Sequence, residues 1–247
     1  MKIKDVYRFL DFIAPFDTAE EWDNCGLSVG SLENEVTKIL VALDVTEEVI
    51  NEAVQNGVQL VVTHHPLIFT PVSSIPADSL LYKAVKSGVT FISSHTCLDK
   101  ATGGVNDCLA RKVGLKNVKT SKTDAFLKIG EIEPCKAEDF ALKVKNALGG
   151  KVAFTVSDKK ITKVAFCSGA GGDLVTLAAQ EGADALLTGE AKHHEYSEAK
   201  RLGIALFDAG HFETEVVVCD YLKSCLENQF EDAEVSVFDE KPPVNYV

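Results

Sequence analysis

The 247-residue chain carries 25 Lys and Arg against 37 Asp and Glu, a formal net charge of −12. With no basic stripe, that balance argues against nucleic-acid binding, which displaces phosphate counterions with cations, and against an anionic membrane surface. Hydrophobic residues make up 46% and no apolar run reaches about 18 residues, so the composition is that of a soluble protein with length for one large domain or two modest ones.

MKIKDVYRFLDFIAP (1–15) predicts an amphipathic helix whose charges interrupt the apolar core a signal peptide needs. EEWDNCGLSVG (20–30) reads as a loop around Gly26, with Trp22 as a core anchor. KILVALDV (38–45) is a strand, EEVINEAVQNG (47–57) a helix stopped by glycine, and VQLVVT (58–63) a strand. LLYKAVKSG (80–88) and VTFISS (89–94) repeat helix then strand. FLKIGEIE, a helix near AEDFALKVKNALGG and KVAFTV fill 121–160, material that connects or widens. The rhythm then restarts: KVAFCSG (163–169), a helix over 173–182, ADALLT (183–188), a helix over 195–203, IALFDAG (204–210). A helix over 212–228 and a strand, VSVFD (235–239), close the chain.

The two halves are in register. At an offset of 125, Lys38 meets Lys163, Ala53 meets Ala178, Gln55 meets Gln180, Gly57 meets Gly182 and Thr63 meets Thr188; at 115, Ala84 meets Ala199 and Gly88 meets Gly203. Alternating strands and helices predict parallel sheets covered by helices. The expected fold is α/β, two related three-layer lobes with mainly parallel sheets, made by internal duplication. The expected division is 1–120 for the first lobe, 121–160 for the connecting segment and 161–247 for the second lobe, with the lobes intertwined. Helix residues 176–179, rich in Ala, read as core or as interface.

All six histidines fall where these strands end. VVTHHPLIF (61–69) places His64 and His65 after one strand, although neighbours on a strand point to opposite faces. His95 follows the next strand, His193 and His194 follow ALLT, and His211 follows IALFDAG. Ligands of open parallel sheets bind beyond the carboxyl ends of the strands. His95 has Asp99 four residues on, and His211 has Glu215, a spacing that shares one helix face. Imidazole with carboxylate suits Zn, Fe, Mn, Ni or Co. His64, His65, Asp99, His211 and Glu215 make five donors, more than one catalytic zinc uses and enough for two divalent ions with shared carboxylates. The bland alternative for each histidine is a satisfied core or surface residue. That alternative weighs most on His193, His194 and on His95 as a direct ligand. GAGG (169–172) precedes a helix and offers N–H groups to a phosphate, without the lysine of a Walker loop. The seven cysteines are scattered, odd in number and without CxxC spacing, as in reduced cytoplasmic proteins.

EEWDNCGLSVG, VTHHPLIF, SHTCLDKATGGVND (94–107), TGEAKHHE (188–195) and GHFETE (210–215) together resemble the signature blocks of the GTP cyclohydrolase 1 type 2 homolog family. That family is also called NIF-three-like or dinuclear metal-centre hexameric. The resemblance runs in order across nearly the whole chain. It implies a two-lobed α/β protein, a homohexameric toroid and a metal site between the lobes facing an inner cavity. The family's ligands fall on His64, His65, Asp99, His211 and Glu215, and its Trp22-Asp23-Asn24 block lies near the site. The chain looks like the short form, without the domain some relatives insert between the lobes.

The reading is of a metal-dependent hydrolase acting on a nucleotide or small heterocycle, with Glu190, His95 or His194 moving a proton. The alternative is a protein that stores or delivers metal, or an adaptor whose metal holds the fold.

Overall fold

The structure, a computed structural model, describes residues 1–156 and 158–245. In chain order the elements are α1 (Ile3–Ile13), β1 (Gly26–Val29), β2 (Lys38–Ala42), α2 (Glu47–Gln55), β3 (Leu60–Thr63), α3 (Leu80–Ser87), β4 (Thr90–Ser93), α4 (Thr96–Lys100), α5 (Val105–Val113), β5 (Lys116–Thr120) and β6 (Lys128–Cys135). They continue with α6 (Ala137–Leu148), β7 (Ala153–Phe154), β8 (Ile161–Cys167), α7 (Val175–Gln180), β9 (Ala185–Thr188), α8 (His193–Leu202), β10 (Ala205–Asp208), α9 (His211–Glu215), α10 (Val217–Gln229) and β11 (Glu234–Val237). Two compact units form: Met1–Gly104 with Val218–Lys241, and Val105–Val217 with a stretch from Pro242. The C-terminal strand returns to the first sheet, so the first unit is discontinuous, whereas the division read from sequence runs in contiguous blocks.

In the first unit the sheet order is β1-β4-β3-β2-β11, parallel except for β1 at one edge. Leu40, Val61 and Phe91 pack with Val49, Ile50 and Ala53 of α2 and Ala84 of α3. Their neighbours Ile39, Val41, Leu60, Val62 and Ile92 are equally buried, so both sheet faces are covered, as continuous apolar strands require. Thr46 caps α2 by accepting from Val49 N–H, and Ser79 caps α3 by accepting from Tyr82 N–H. Gly88 ends α3 in the left-handed region at φ 74°.

In the second unit the order is β5-β6-β8-β9-β10-β7. Only β8, β9 and β10 run parallel; β5, β6 and β7 are antiparallel additions, so segment 121–160, which carries β6 and β7, widens this sheet together with β5 just before it. Val164, Phe166, Leu187 and Phe207 face Phe140 and Val144 of α6. Ala165, Leu186 and Leu206 face Val175 and Ala178 of α7 and Ala199 of α8. This is a three-layer arrangement with the core split by the sheet, and Ala178 belongs to it at 0% exposure.

The duplication holds bond by bond. The pairs Ile39–Leu60 and Ala42–Thr63 recur as Val164–Ala185 and Cys167–Thr188, and Leu60–Thr90 and Thr63–Ser93 recur as Ala185–Ala205 and Thr188–Asp208. Even the antiparallel edge strands correspond, β1 on β4 and β7 on β10. No helix among the described residues is long and apolar enough to cross a membrane.

Candidate metal centre

In the first unit, β3 stops at Thr63, and the strand alternation that would separate His64 from His65 stops with it. Their rings lie 4.9 Å apart, and the His95 ring lies 5.1 Å from one and 5.3 Å from the other. One ring nitrogen from each of the three falls within 4.8 Å of the others. This group can hold a metal ion.

What lies behind the rings suits them to metal ligation. His64 Nδ1 is 2.9 Å from the Ser94 carbonyl, His65 Nδ1 is 2.8 Å from Asp44 Oδ1 and His95 Nδ1 is 2.9 Å from Asp23 Oδ1. Each partner is an acceptor, so each Nδ1 carries the proton and each Nε2 presents its lone pair. Metal-binding histidines are oriented this way by carbonyls and carboxylates. Burial disfavours the charge on Asp23, but hydrogen bonds from His95 and Thr96 prevail and hold its carboxyl well below the usual carboxylate range.

His95 stands at the start of α4, which ends with Asp99 and Lys100. Asp99 Oδ1 is 3.6 Å from His64 Nε2, and both side chains are buried. The turn that follows admits only glycine at Gly104, where a Cβ would lie 1.9 Å from the Leu98 carbonyl oxygen. Gly104, five residues beyond Asp99, therefore has a steric reason.

The second unit supplies a smaller set. After β10, Gly210 at φ 92° turns the chain into the one-turn helix α9, and a Cβ there would meet Glu213 Oε2 at 2.0 Å. The sequence reads as helical from Gly210 onward; the structure interrupts it at Val216, between α9 and α10. His211 and Glu215 do share one face, with Nε2 to Oε2 at 3.2 Å. Glu190, which follows β9 at the position equivalent to His65, sits 3.1 Å from His211 Nδ1 and again leaves Nε2 as the donor.

Gly169, the first glycine of GAGG, closes the back of this pair. It follows β8 at φ 61°, and a Cβ there would lie 2.2 Å from Glu215 Oε1 and 3.3 Å from His211 Nε2. The glycine thus lets a buried carboxylate and an imidazole sit against the main chain.

One expectation from the sequence changes. Trp22 is no core anchor: it is 61% exposed, its ring edge-on to His95 at 5.9 Å, in the loop that leads into β1 beside the carboxyl end of β4. His194 is solvent-facing at 77% exposure, with Glu195 as its ionic partner at 3.8 Å; His193 is exposed beside it at the start of α8. Asp44 was not singled out in the sequence, and Asp23 was placed near the site only by the family resemblance. The signal was available for Asp44, a carboxylate just past the end of a buried parallel strand.

A family model described as Duf34/NIF3 (NGG1p interacting factor 3) matches residues 1–243. The chain belongs to this family. Curated relatives named GTP cyclohydrolase 1 type 2 homolog include one from Clostridium perfringens, 36% identical over 94% of this chain and 95% of the relative. Another, from Clostridium acetobutylicum, is 33% identical over 87% and 85%. The relative from Staphylococcus aureus aligns over 360 positions at 28% identity, so it carries sequence that this 247-residue Duf34/NIF3 chain does not have. Among solved structures, a Staphylococcus aureus protein superposes with a TM-score of 0.92 at 32% identity, covering 100% of this chain and 99% of that one. Reduced HcgD from Methanocaldococcus jannaschii gives 0.84 at 32% identity, covering 97% and 98%.

Proposed function

We propose that this protein is a dinuclear-metal hydrolase acting on a nucleotide or small heterocycle. His64, His65 and Asp99, with His211 and Glu215, are the ligands of two divalent ions drawn from Zn, Fe, Mn, Ni and Co. The observation that carries the reading is the commitment of Nδ1 on His64, His65, His95 and His211 to an acceptor, which leaves Nε2 as the metal-facing atom of each. A surface histidine gains little from such a fixed tautomer, whereas a ligand needs it. Bound there, divalent ions supply Lewis acidity and lower the pKa of water toward about 7.

The other residues divide the remaining tasks. Trp22 and Phe69 flank His95 edge-on at 5.9 and 5.8 Å and are 61% and 50% exposed, offering flat apolar faces to a planar ring. Asn24 donates to the Ile68 carbonyl at 2.8 Å and so ties the loops carrying these two aromatics. His95, Glu190 and His194 are assigned to proton transfer; of these, His95 is backed by Asp23 and Glu190 already bonds His211. Homohexameric assembly in the cytoplasm completes the proposal, and sedimentation should give six times the mass of one chain.

The test is turnover of GTP and a panel of nucleotides and heterocycles by protein loaded with each metal, beside His65→Ala. Turnover lost in His65→Ala supports the reading, and Trp22→Ala should then raise KM several-fold with kcat little changed. Metal retained at stoichiometry and passed to an apo-acceptor, without turnover of any compound, would transfer the assignment to metal storage or delivery.

A further inference from the structure

Behind the three histidines of the first unit lies a pair of thiols with no part in the proposed hydrolase. Cys25, just before β1, and Cys97, in the first turn of α4, are both free cysteines, with sulfurs 3.4 Å apart. Neither is adrift. Cys97 Sγ is 3.3 Å from Ser94 Oγ, and Cys25 Sγ accepts the His95 N–H at 3.3 Å while its own S–H points at Asp23 Oδ2, 3.2 Å away. Cys97 is buried and Cys25 is partly exposed, so Cys25 is the residue that a small oxidant meets first.

We propose that Cys25 and Cys97 form a reversible dithiol/disulfide redox site, oxidised by hydroperoxides. A disulfide has its sulfurs about 2.05 Å apart, so closure asks for a movement of about 1.4 Å. In the first step the Cys25 sulfur attacks a peroxide oxygen; the O–O bond breaks, sulfenic acid forms and one water leaves. The Cys97 sulfur then attacks the sulfenic sulfur, the S–S bond forms and a second water leaves. Two S–H bonds are lost, and hydrogen peroxide takes up both electrons and both protons. Cys25, the partly exposed thiol, is the attacking one, and Cys97, buried and in contact with it, resolves the sulfenic acid before further oxidation.

The site has a consequence for its surroundings. Asp23 holds the S–H of Cys25, the Nδ1 proton of His95 and two donors from Thr96. Disulfide formation removes the first of these and ties the loop bearing Asp23 to the helix bearing Asp99. The inference does not depend on hydrolase activity, since a thiol pair reports its own oxidation.

Full-length protein is treated with graded hydrogen peroxide, unfolded, alkylated with N-ethylmaleimide, digested and analysed by peptide mass spectrometry. The expected result is a loss of two thiols and a peptide linked through Cys25 and Cys97, reversed by dithiothreitol. In Cys97→Ser, dimedone should trap a sulfenic acid at Cys25; in Cys25→Ser, Cys97 should stay reduced. Oxidation of Cys25 to sulfinic or sulfonic acid without linkage, or links confined to other cysteines, would overturn the proposal. The wild-type measurement decides even if a variant fails to fold.

Discussion

Four imidazoles in this protein have their outer nitrogen set by what stands behind the inner one, and the acceptors differ in kind. Ser94 offers a backbone carbonyl to His64, which no side-chain change removes, but Asp44 and Asp23 offer carboxylates to His65 and His95. Asp44→Ala should therefore leave the fold intact and weaken metal binding by about 10–100-fold, read by competition with a chromophoric chelator. Asp44→Asn should recover part of the loss, because its amide oxygen still accepts. At Gly169 the constraint is steric: Gly169→Ala puts a methyl 2.2 Å from Glu215 Oε1 in a left-handed backbone. We expect loss of metal at the His211–Glu215 pair by elemental analysis, with thermal stability lowered by about 1–3 kcal/mol of strain. At this scale the sequence was uneven. Histidines and carboxylates at strand ends are legible because strand ends are. Asp44 was not, and Asp23 came only with the family resemblance, since an acidic residue in a loop reads as solvated until its partner is placed beside it. Trp22 misled because large aromatics are ordinarily buried, whereas this one stands exposed in a loop beside His95.

Elements carry these side chains by where they stop. β3, β4 and β10 end just before His64, His95 and His211, and short helices α4 and α9 then turn a carboxylate back toward the same strand end. Five-residue helices have little stability of their own, because nucleation costs more than one turn returns; they persist through their turns. Gly104→Ala pushes a Cβ against the Leu98 carbonyl, so α4 must shift or unwind. The expected outcome is lower protection of the α4 amides in hydrogen exchange and weaker metal binding, with amides of β3 and β4 unaffected. Full protection of α4 in this variant would show that the turn is not what holds Asp99. Elements β2 through β4 and β8 through β10 were readable because their apolar runs end in glycine-stopped helices. β1, β5 and α5 were not read as elements: β1 is too short for its period to show, and β5 alternates Lys, Asn and Thr, most of them exposed.

Across the whole molecule, the two units repeat one plan down to individual hydrogen bonds, and the repeat exposes one difference that can be titrated. At the start of β2, the Gln59 Oε1 accepts from Thr37 N–H and Lys38 N–H; at the start of β8, Asp184 Oδ2 accepts from Thr162 N–H and Lys163 N–H. The same two strand-opening donors are held by a neutral amide in one unit and by a carboxylate in the other. Burial tends to raise the Asp184 pKa, but its bonds from Thr162 and Lys163 outweigh this and the net shift is downward. A carboxyl whose pKa is lower folded than unfolded adds stability above its unfolded value, about 3.9, and loses it as pH falls through the folded value. Asp184→Asn keeps an acceptor without a charge, so it should melt below wild type at pH 7, with the gap narrowing steadily between about pH 5 and pH 2. Gln59→Ala removes an acceptor that does not titrate, so its deficit from wild type should stay level over that window. Calorimetry of the two variants side by side separates them: a constant gap for Asp184→Asn would mean that its charge adds nothing to holding β8, and that the duplicated strand opening works by geometry alone.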